Sequence, residues 1–405
     1  MPDMFLKPPT LNDVKSAQKN LEGIIRKIPL VKSEFFSKLS GNEIYLKLEN
    51  LQPTGAFKIR GAYNKISSLT KEERNRGVIA ASAGNHAQGV ALSAKKLGIK
   101  SVIVMPEHTP LNKVNATKNY GAEVILYGNN YDEAYEKARE IEKERKLIFV
   151  HPFDDSLVIA GQGTISLELL EDIPDIDAIV VPIGGGGLIS GIAIAAKSIK
   201  PKIKIIGVEA EGADAMKRSF YSGSLKKLKA VSTIADGIAV KKPGELTFSI
   251  IKKYVDKIVT VSDEEISASI LSFLERSKLL GEPAGCAGLA AAMYGKLGLA
   301  GKKVAVIVSG GNVDINLIWN LIEKGLTKQG RRAKIKTLLK DRPGELRNFL
   351  DIVAKSGGNV LEIYHERLTS TAGVGKIEVT VAIETKDEKH KNEIVKNLRK
   401  GGYSV

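Results

Sequence analysis

The strongest constraint on this chain is an alternation. From about residue 43 to residue 315, short apolar runs rich in β-branched residues take turns with helical patterns. The runs are 78–81, 102–105, 124–126, 147–150, 179–181, 205–208 and 304–308. Uninterrupted apolar runs belong to strands buried on both faces, as in parallel sheets covered by helices. The intervening stretches, 131–145 for example, carry charge on one helical face. Strand and helix alternating over this length predict an open α/β architecture.

A second regime follows the basic stretch 326–332, which reads as a linker. It predicts a strand at 333–339, a turn at Asp341-Arg342-Pro343-Gly344 and a helix at 345–355. Ser356-Gly357-Gly358 stops that helix, strands follow at 359–368 and 375–384, and a second helix covers 389–400. The order βαββα, with room for a last strand, is that of a small ferredoxin-like α+β domain.

Composition removes several functional classes. A chain of 405 residues exceeds one compact core and implies two or three domains. The single cysteine, Cys286, cannot form an internal disulfide or a multi-cysteine zinc site, and it reads as a buried core residue. No apolar run is long enough to span a membrane, and the first residues lack an apolar targeting segment. A cytoplasmic protein with no membrane partner is expected. The net charge of +15 invites a nucleic-acid reading. However, the last 75 residues, the most basic part, mix 16 Lys+Arg with 10 Asp+Glu. Without interleaved aromatics for base stacking, the excess reads as surface solvation, and no nucleic-acid partner is expected.

Four segments carry chemistry. In 53–62, a Pro/Gly turn delivers Lys58 to a helix start, where a cation is disfavoured and the amine pKa lowered. That suits a Schiff-base lysine; the alternative is an exposed surface lysine. In 82–89, Ser82, Ala83, Gly84, Asn85 and His86 follow an apolar strand and open a helix. Their backbone N–H groups can hold an anion such as a carboxylate; the alternative is an ordinary βα turn capped by Ser82 or Asn85. In 182–191, a strand runs into Gly184-Gly185-Gly186-Gly187, then Leu188 and a helix. Consecutive N–H groups without Cβ atoms can wrap a phosphate. The run matches neither the P-loop nor the dinucleotide fingerprint. In 306–314, a buried strand ends in Ser309-Gly310-Gly311-Asn312, which places Ser309 where open α/β sheets bind ligands; the alternative is a helix N-cap. An aldehyde-reactive lysine, a phosphate cup, a carboxylate turn and a hydroxyl together match pyridoxal 5'-phosphate.

These segments, in this order, resemble the fold-type II pyridoxal-phosphate enzymes, and within them the threonine ammonia-lyases (threonine dehydratases). The resemblance covers residues 10–325, and 331–405, with its segment 341–346, resembles an ACT regulatory domain. It implies a catalytic domain at 1–325 built of two open parallel-sheet subdomains of the tryptophan synthase β type. The smaller, about 50–150, would be inserted in the larger; a linker at 326–332 and an ACT domain at 333–405 would complete the chain. Lys58 would carry the cofactor as a Schiff base and move the Cα proton. Asn85 would bond the ring hydroxyl, with Phe57, Gly237 and Glu282 also around the cofactor. Gly184, Gly185, Gly186, Gly187 and Leu188 would hold the phosphate, and Ser309 would meet the pyridine nitrogen. Ser82, Ala83, Asn85 and His86 would lie near the substrate carboxylate.

The implied activity is loss of water and ammonia from L-threonine, and from L-serine, giving 2-oxobutanoate or pyruvate. It would serve isoleucine biosynthesis or threonine catabolism. An effector, isoleucine or valine, would bind between ACT domains of a homo-oligomer, a dimer or tetramer. Relatives that racemise serine carry a serine where Ala83 stands, which favours dehydration. Some relatives bind a cation near the segment containing Glu209 and Ala213, but Ala215 replaces a frequent carboxylate and no metal is assigned. Rival readings are a serine dehydratase, racemase or β-replacing enzyme of the same fold type, and a non-enzymatic amino-acid sensor.

Overall fold

Each of the seven apolar runs contributes a strand to a parallel sheet. The computed structural model describes residues 7–366 and 374–405, and the chain divides into two units between Ile315 and Asn316. The strands of the first unit are β1 (Val31–Lys32), β2 (Glu43–Leu48), β3 (Val78–Ala81), β4 (Ser101–Met105), β5 (Glu123–Leu126), β6 (Ile148–Phe149), β7 (Ala178–Pro182), β8 (Lys204–Ala210), β9 (Lys257–Val261) and β10 (Lys303–Val308). They form a six-stranded sheet in the order β1-β2-β10-β7-β8-β9 and a four-stranded sheet in the order β5-β4-β3-β6. All pairings are parallel except β1 with β2. The smaller sheet is built wholly from chain lying between β2 and β7. Strands β3 and β7 are buried at every position, as uninterrupted apolar runs require, whereas β5 is an edge strand with Glu123 and Leu126 exposed. β9 has no uninterrupted apolar run, since Lys257 and Thr260 break it.

Three helices wedge together beside these sheets with backbones in near contact. A Cβ on Gly61 would lie 2.4 Å from Gln162 Nε2, one on Gly161 2.5 Å from the Arg60 carbonyl oxygen, and one on Gly191 2.2 Å from the Ile159 carbonyl oxygen. The helices Lys58–Ser67, Ser156–Asp172 and Gly187–Ile199 can therefore cross this closely only because glycine stands at each crossing.

Inside the wedge is a fully buried ionic network. The Arg60 guanidinium donates from Nε and Nη2 to Glu49 at 2.8 and 2.7 Å, and from Nη1 and Nη2 to Glu168 at 2.6 and 3.0 Å; its fifth N–H reaches Thr164 Oγ1 at 3.0 Å. Lys47 pairs with Glu168 at 2.6 Å and donates to the Ile28 carbonyl. Two cations balance two carboxylates. Burial opposes charge on Arg60, but Glu49 and Glu168 outweigh it and raise the guanidinium pKa. Burial likewise opposes the Glu168 carboxylate, and Arg60 and Lys47 still hold its pKa down.

The second unit has strands β11 (Arg332–Lys340), β12 (Asn359–Glu366) and β13 (Lys376–Glu384) in an antiparallel sheet of order β11-β13-β12. Helices Glu345–Lys355 and Glu388–Lys400 pack on it over a core that includes Phe349, Val379, Val381 and Leu398. This is the ferredoxin-like βαββα order. Residues 401–405 form no strand, and part of the strand expected at 359–368 lies outside the described residues. The stretch expected as linker is helical up to Lys328, within the helix Ile315–Lys328, and β11 begins at Arg332. Among the described residues no helix is long and apolar enough to cross a membrane. Replacing Arg60 by Met should leave Glu49 without a cation and Glu168 with Lys47 alone, and guanidinium-chloride unfolding should show a loss of about 3–5 kcal/mol.

Candidate active site

The four chemical segments all sit at carboxyl ends of strands. Lys58 follows β2, Ser82 follows β3, Gly184 follows β7 and Ser309 follows β10. Open α/β sheets gather ligand-binding loops at this edge. Hydrogen bonds tie the loops together. Phe57 N–H donates to the Ser309 carbonyl at 3.1 Å, Gly311 N–H to Gly55 O at 2.9 Å, and Glu282 N–H to Gly310 O at 3.0 Å.

Lys58 is the first residue of its helix, with Phe57 as N-cap. Its ammonium lies 5.2 Å from the centre of the Phe57 ring and donates to the Pro152 carbonyl at 2.7 Å. No carboxylate forms a salt bridge with it among the described residues. Burial therefore lowers its pKa to about 8, against a weak opposing pull from Glu282.

The glycine cup lies against Phe153. A Cβ on Gly185 would stand 2.3 Å from the Phe153 ring, and one on Gly187 2.9 Å from its Cα. Gly186 has φ +98° and caps the helix Gly187–Ile199. The N–H groups of Gly184, Gly185 and Gly186 donate to no group among the described residues, and those of Gly187 and Leu188 open the helix. Thr247 Oγ1 holds the Gly185 carbonyl at 2.6 Å, and Asp154 accepts from Glu245 and Thr247 N–H at 3.0 Å each. Asp154 and Thr247 thus brace the cup. The apolar-run and glycine patterns do not single them out.

Asn85 begins its helix, and the N-cap is Gly84 rather than Ser82 or Asn85. The Asn85 side chain is thereby released from capping. Its Nδ2 donates to Glu282 Oε1 and its Oδ1 accepts from Asn312 Nδ2, each at 2.7 Å. Glu282 is buried, and burial followed by the nearby Asp236 pushes its pKa up to about 7. Gly237 lies next to it: a Cβ there would be 3.7 Å from Glu282 Oε1. Ser82 Oγ accepts from Gly84 N–H at 3.2 Å, and Ala83 is half-buried beside it. His86 is buried, with Nε2 on the Val150 carbonyl at 2.8 Å. Burial lowers its pKa to about 3, so the ring is neutral. Ser309 is 3% exposed and its hydroxyl has no hydrogen-bond partner among the described residues. It caps no helix, since the next begins at Ile315.

Glu209, weighed as a cation ligand, is buried and accepts from Met216 and Lys217 N–H at 3.0 and 2.7 Å. It serves the start of the helix Ala215–Ser222. Among the described residues no cluster of three or more His, Cys, Asp or Glu side chains is arranged for a metal.

This arrangement fits pyridoxal phosphate. Free glycine N–H groups at a helix start suit a phosphate, a half-buried amine without a counter-ion suits an aldehyde, and an unpartnered serine hydroxyl at a strand end suits a ring nitrogen. The rate at which the cofactor-free protein forms an imine with added pyridoxal phosphate should rise with pH and level off above about 8. An ordinary lysine would keep rising towards about 10.4; absorbance of the imine band reads the difference.

Known proteins agree with the geometry. The family described as pyridoxal-phosphate dependent enzyme matches residues 21–310. An L-threonine ammonia-lyase of Thermotoga maritima is 52% identical over 396 residues, covering 98% of this chain and 98% of that protein. The processed form of threonine deaminase isoform 2 from Solanum lycopersicum superposes with a TM-score of 0.74 at 38% identity, covering 79% of this chain and 91% of that one. Maize serine racemase gives a TM-score of 0.75 at 37% identity, covering 79% and 99%. With that match over most of its length and a relative this similar from end to end, the chain belongs to the pyridoxal-phosphate dependent enzymes.

Proposed function

We propose that this protein is a threonine ammonia-lyase, converting L-threonine to 2-oxobutanoate and ammonia and accepting L-serine to give pyruvate. The observation that carries the chemistry is Lys58, an amine without a counter-ion beside a glycine cup of free N–H groups. The substrate is argued from the near full-length likeness to the Thermotoga maritima enzyme.

When bound, the cofactor supplies an aldehyde for the substrate amine and an electron sink next to Cα. Lys58 is the base that takes the Cα proton. The burial that lowers its pKa to about 8 keeps part of the population neutral at pH 7. Gly184, Gly185, Gly186, Gly187 and Leu188 hold the phosphate through backbone N–H groups. Asn85 donates to the ring hydroxyl, with Glu282, Gly237 and Phe57 around the ring. Ser309 would meet the pyridine nitrogen with a hydroxyl rather than a carboxylate, so this chain would supply that nitrogen with a neutral partner. The substrate carboxylate lies at the turn Ser82, Ala83, Asn85 and His86. His86 contributes there through its backbone N–H; its ring is buried and neutral, with Nε2 on the Val150 carbonyl.

The second unit is proposed to be an ACT regulatory domain that binds isoleucine or valine between copies in a cytoplasmic dimer or tetramer. Its support is the ferredoxin-like order and the likeness along the whole chain. Isoleucine biosynthesis or threonine catabolism would be the setting.

Purified protein should release 2-oxobutanoate from threonine, detected as its hydrazone, and Lys58→Ala should abolish this along with the cofactor's imine absorbance. Added isoleucine or valine should change the rate; an unchanged rate with both rejects the regulatory reading. Serine should give pyruvate at least tenfold faster than D-serine, because Ala83 offers no hydroxyl as a second base. Comparable rates, read by chiral chromatography, would favour the racemase reading.

A further inference from the structure

We infer that Asn312 is a positioning residue for Asn85, setting which face of its amide meets the cofactor. The inference rests on the reading of Asn85 as a donor to the cofactor's ring hydroxyl. The argument starts from a group that can only accept. The Thr54 carbonyl oxygen receives a hydrogen bond from Asn312 Nδ2 at 2.8 Å. The other N–H of the same Nδ2 points to Asn85 at 2.7 Å, so Asn85 must offer Oδ1 on that side. That forces Asn85 Nδ2 to the opposite side, where it donates to Glu282 Oε1 at 2.7 Å. Nδ2 carries two N–H groups, and one is left for a ligand acceptor.

Polarity thus passes from a backbone carbonyl, through Asn312, to Asn85. It does so whether or not Glu282 carries a proton, because the Thr54 carbonyl does not titrate. Asn312 is held in place from below: Gly55, at φ +69°, leaves room where a Cβ would stand 2.4 Å from Asn312 Oδ1. Gly311 N–H also donates to Gly55 O, closing the loop next to Asn312. One side chain therefore joins the turn before Lys58, the loop after β10 and the helix start at Asn85.

The test is a double-mutant cycle on the full chain, stripped of cofactor and titrated with pyridoxal phosphate by absorbance. Asn85→Ala should weaken binding about tenfold, the worth of one hydrogen bond. Asn312→Ala should weaken it several-fold, and the double variant should bind no worse than Asn85→Ala. A double variant whose loss is the product of the two single losses would overturn the inference, since Asn312 would then act without Asn85. A binding constant unchanged in Asn85→Ala would instead reject the Asn85 reading itself. Asn312→Asp runs in parallel because it preserves size. A carboxylate cannot donate to Thr54 O, so Asn85 should turn Nδ2 towards it, with weaker cofactor binding and a shifted absorbance band. Wild-type affinity and spectrum in Asn312→Asp would also overturn the inference, and thermal melts confirm that each variant is folded.

Discussion

The structure depends on the saturation of one buried guanidinium. Arg60 uses all five N–H groups on Glu49, Glu168 and Thr164, and Lys47 supplies the remaining positive charge. Such a network gains little over apolar packing in free energy, but it accepts very few geometries. Here it ties the end of β2 to two helices, one of which begins with Lys58, two residues before Arg60. The reactive amine is thus placed by an ionic lock behind it as well as by its own bond to the Pro152 carbonyl. The glycines at 61 and 161 serve the same end, because only bare backbone lets the helices carrying Arg60 and Glu168 cross this closely.

The site is electrostatically quiet for a protein of net charge +15. Its titrating groups are drawn towards neutral pH, an amine lowered to about 8 and a carboxyl pushed up to about 7, beside a neutral imidazole, a serine hydroxyl and two amides. Charge is instead expected from an incoming phosphate and carboxylate, which are met by backbone N–H groups that cannot titrate. Proton traffic is left to the one amine whose burial keeps it near its working pH. The lysine excess lies elsewhere, on exposed stretches such as 226–229.

Most strands and the glycine cup could be read from the chain because their physics is local. A strand buried on both faces has to be apolar throughout, and four glycines between strand and helix have few other uses. Reading stopped where partners came from distant segments. Gly84 as cap of the helix at Asn85 depends on the Asn85 side chain finding better partners in Asn312 and Glu282, more than 190 residues away. The commitment of His86 to Val150 depends on where a neighbouring strand ends. Asp154, in the loop after β6, and Thr247, in the first turn of the helix Glu245–Tyr254, brace the cup from segments whose approach no spacing announces.

The order of apolar runs and turn glycines was enough for the α/β class, the two regimes of the chain and the four loops that carry chemistry, since backbone preference and burial act over a few residues. The pairing of these loops arises only on folding. Two parallel sheets bring β2, β3, β7 and β10 to a common edge. There, desolvation sets which groups stay neutral, and long-range hydrogen bonds set which way each amide faces. Both depend on burial by remote segments, and a linear pattern carries no record of that.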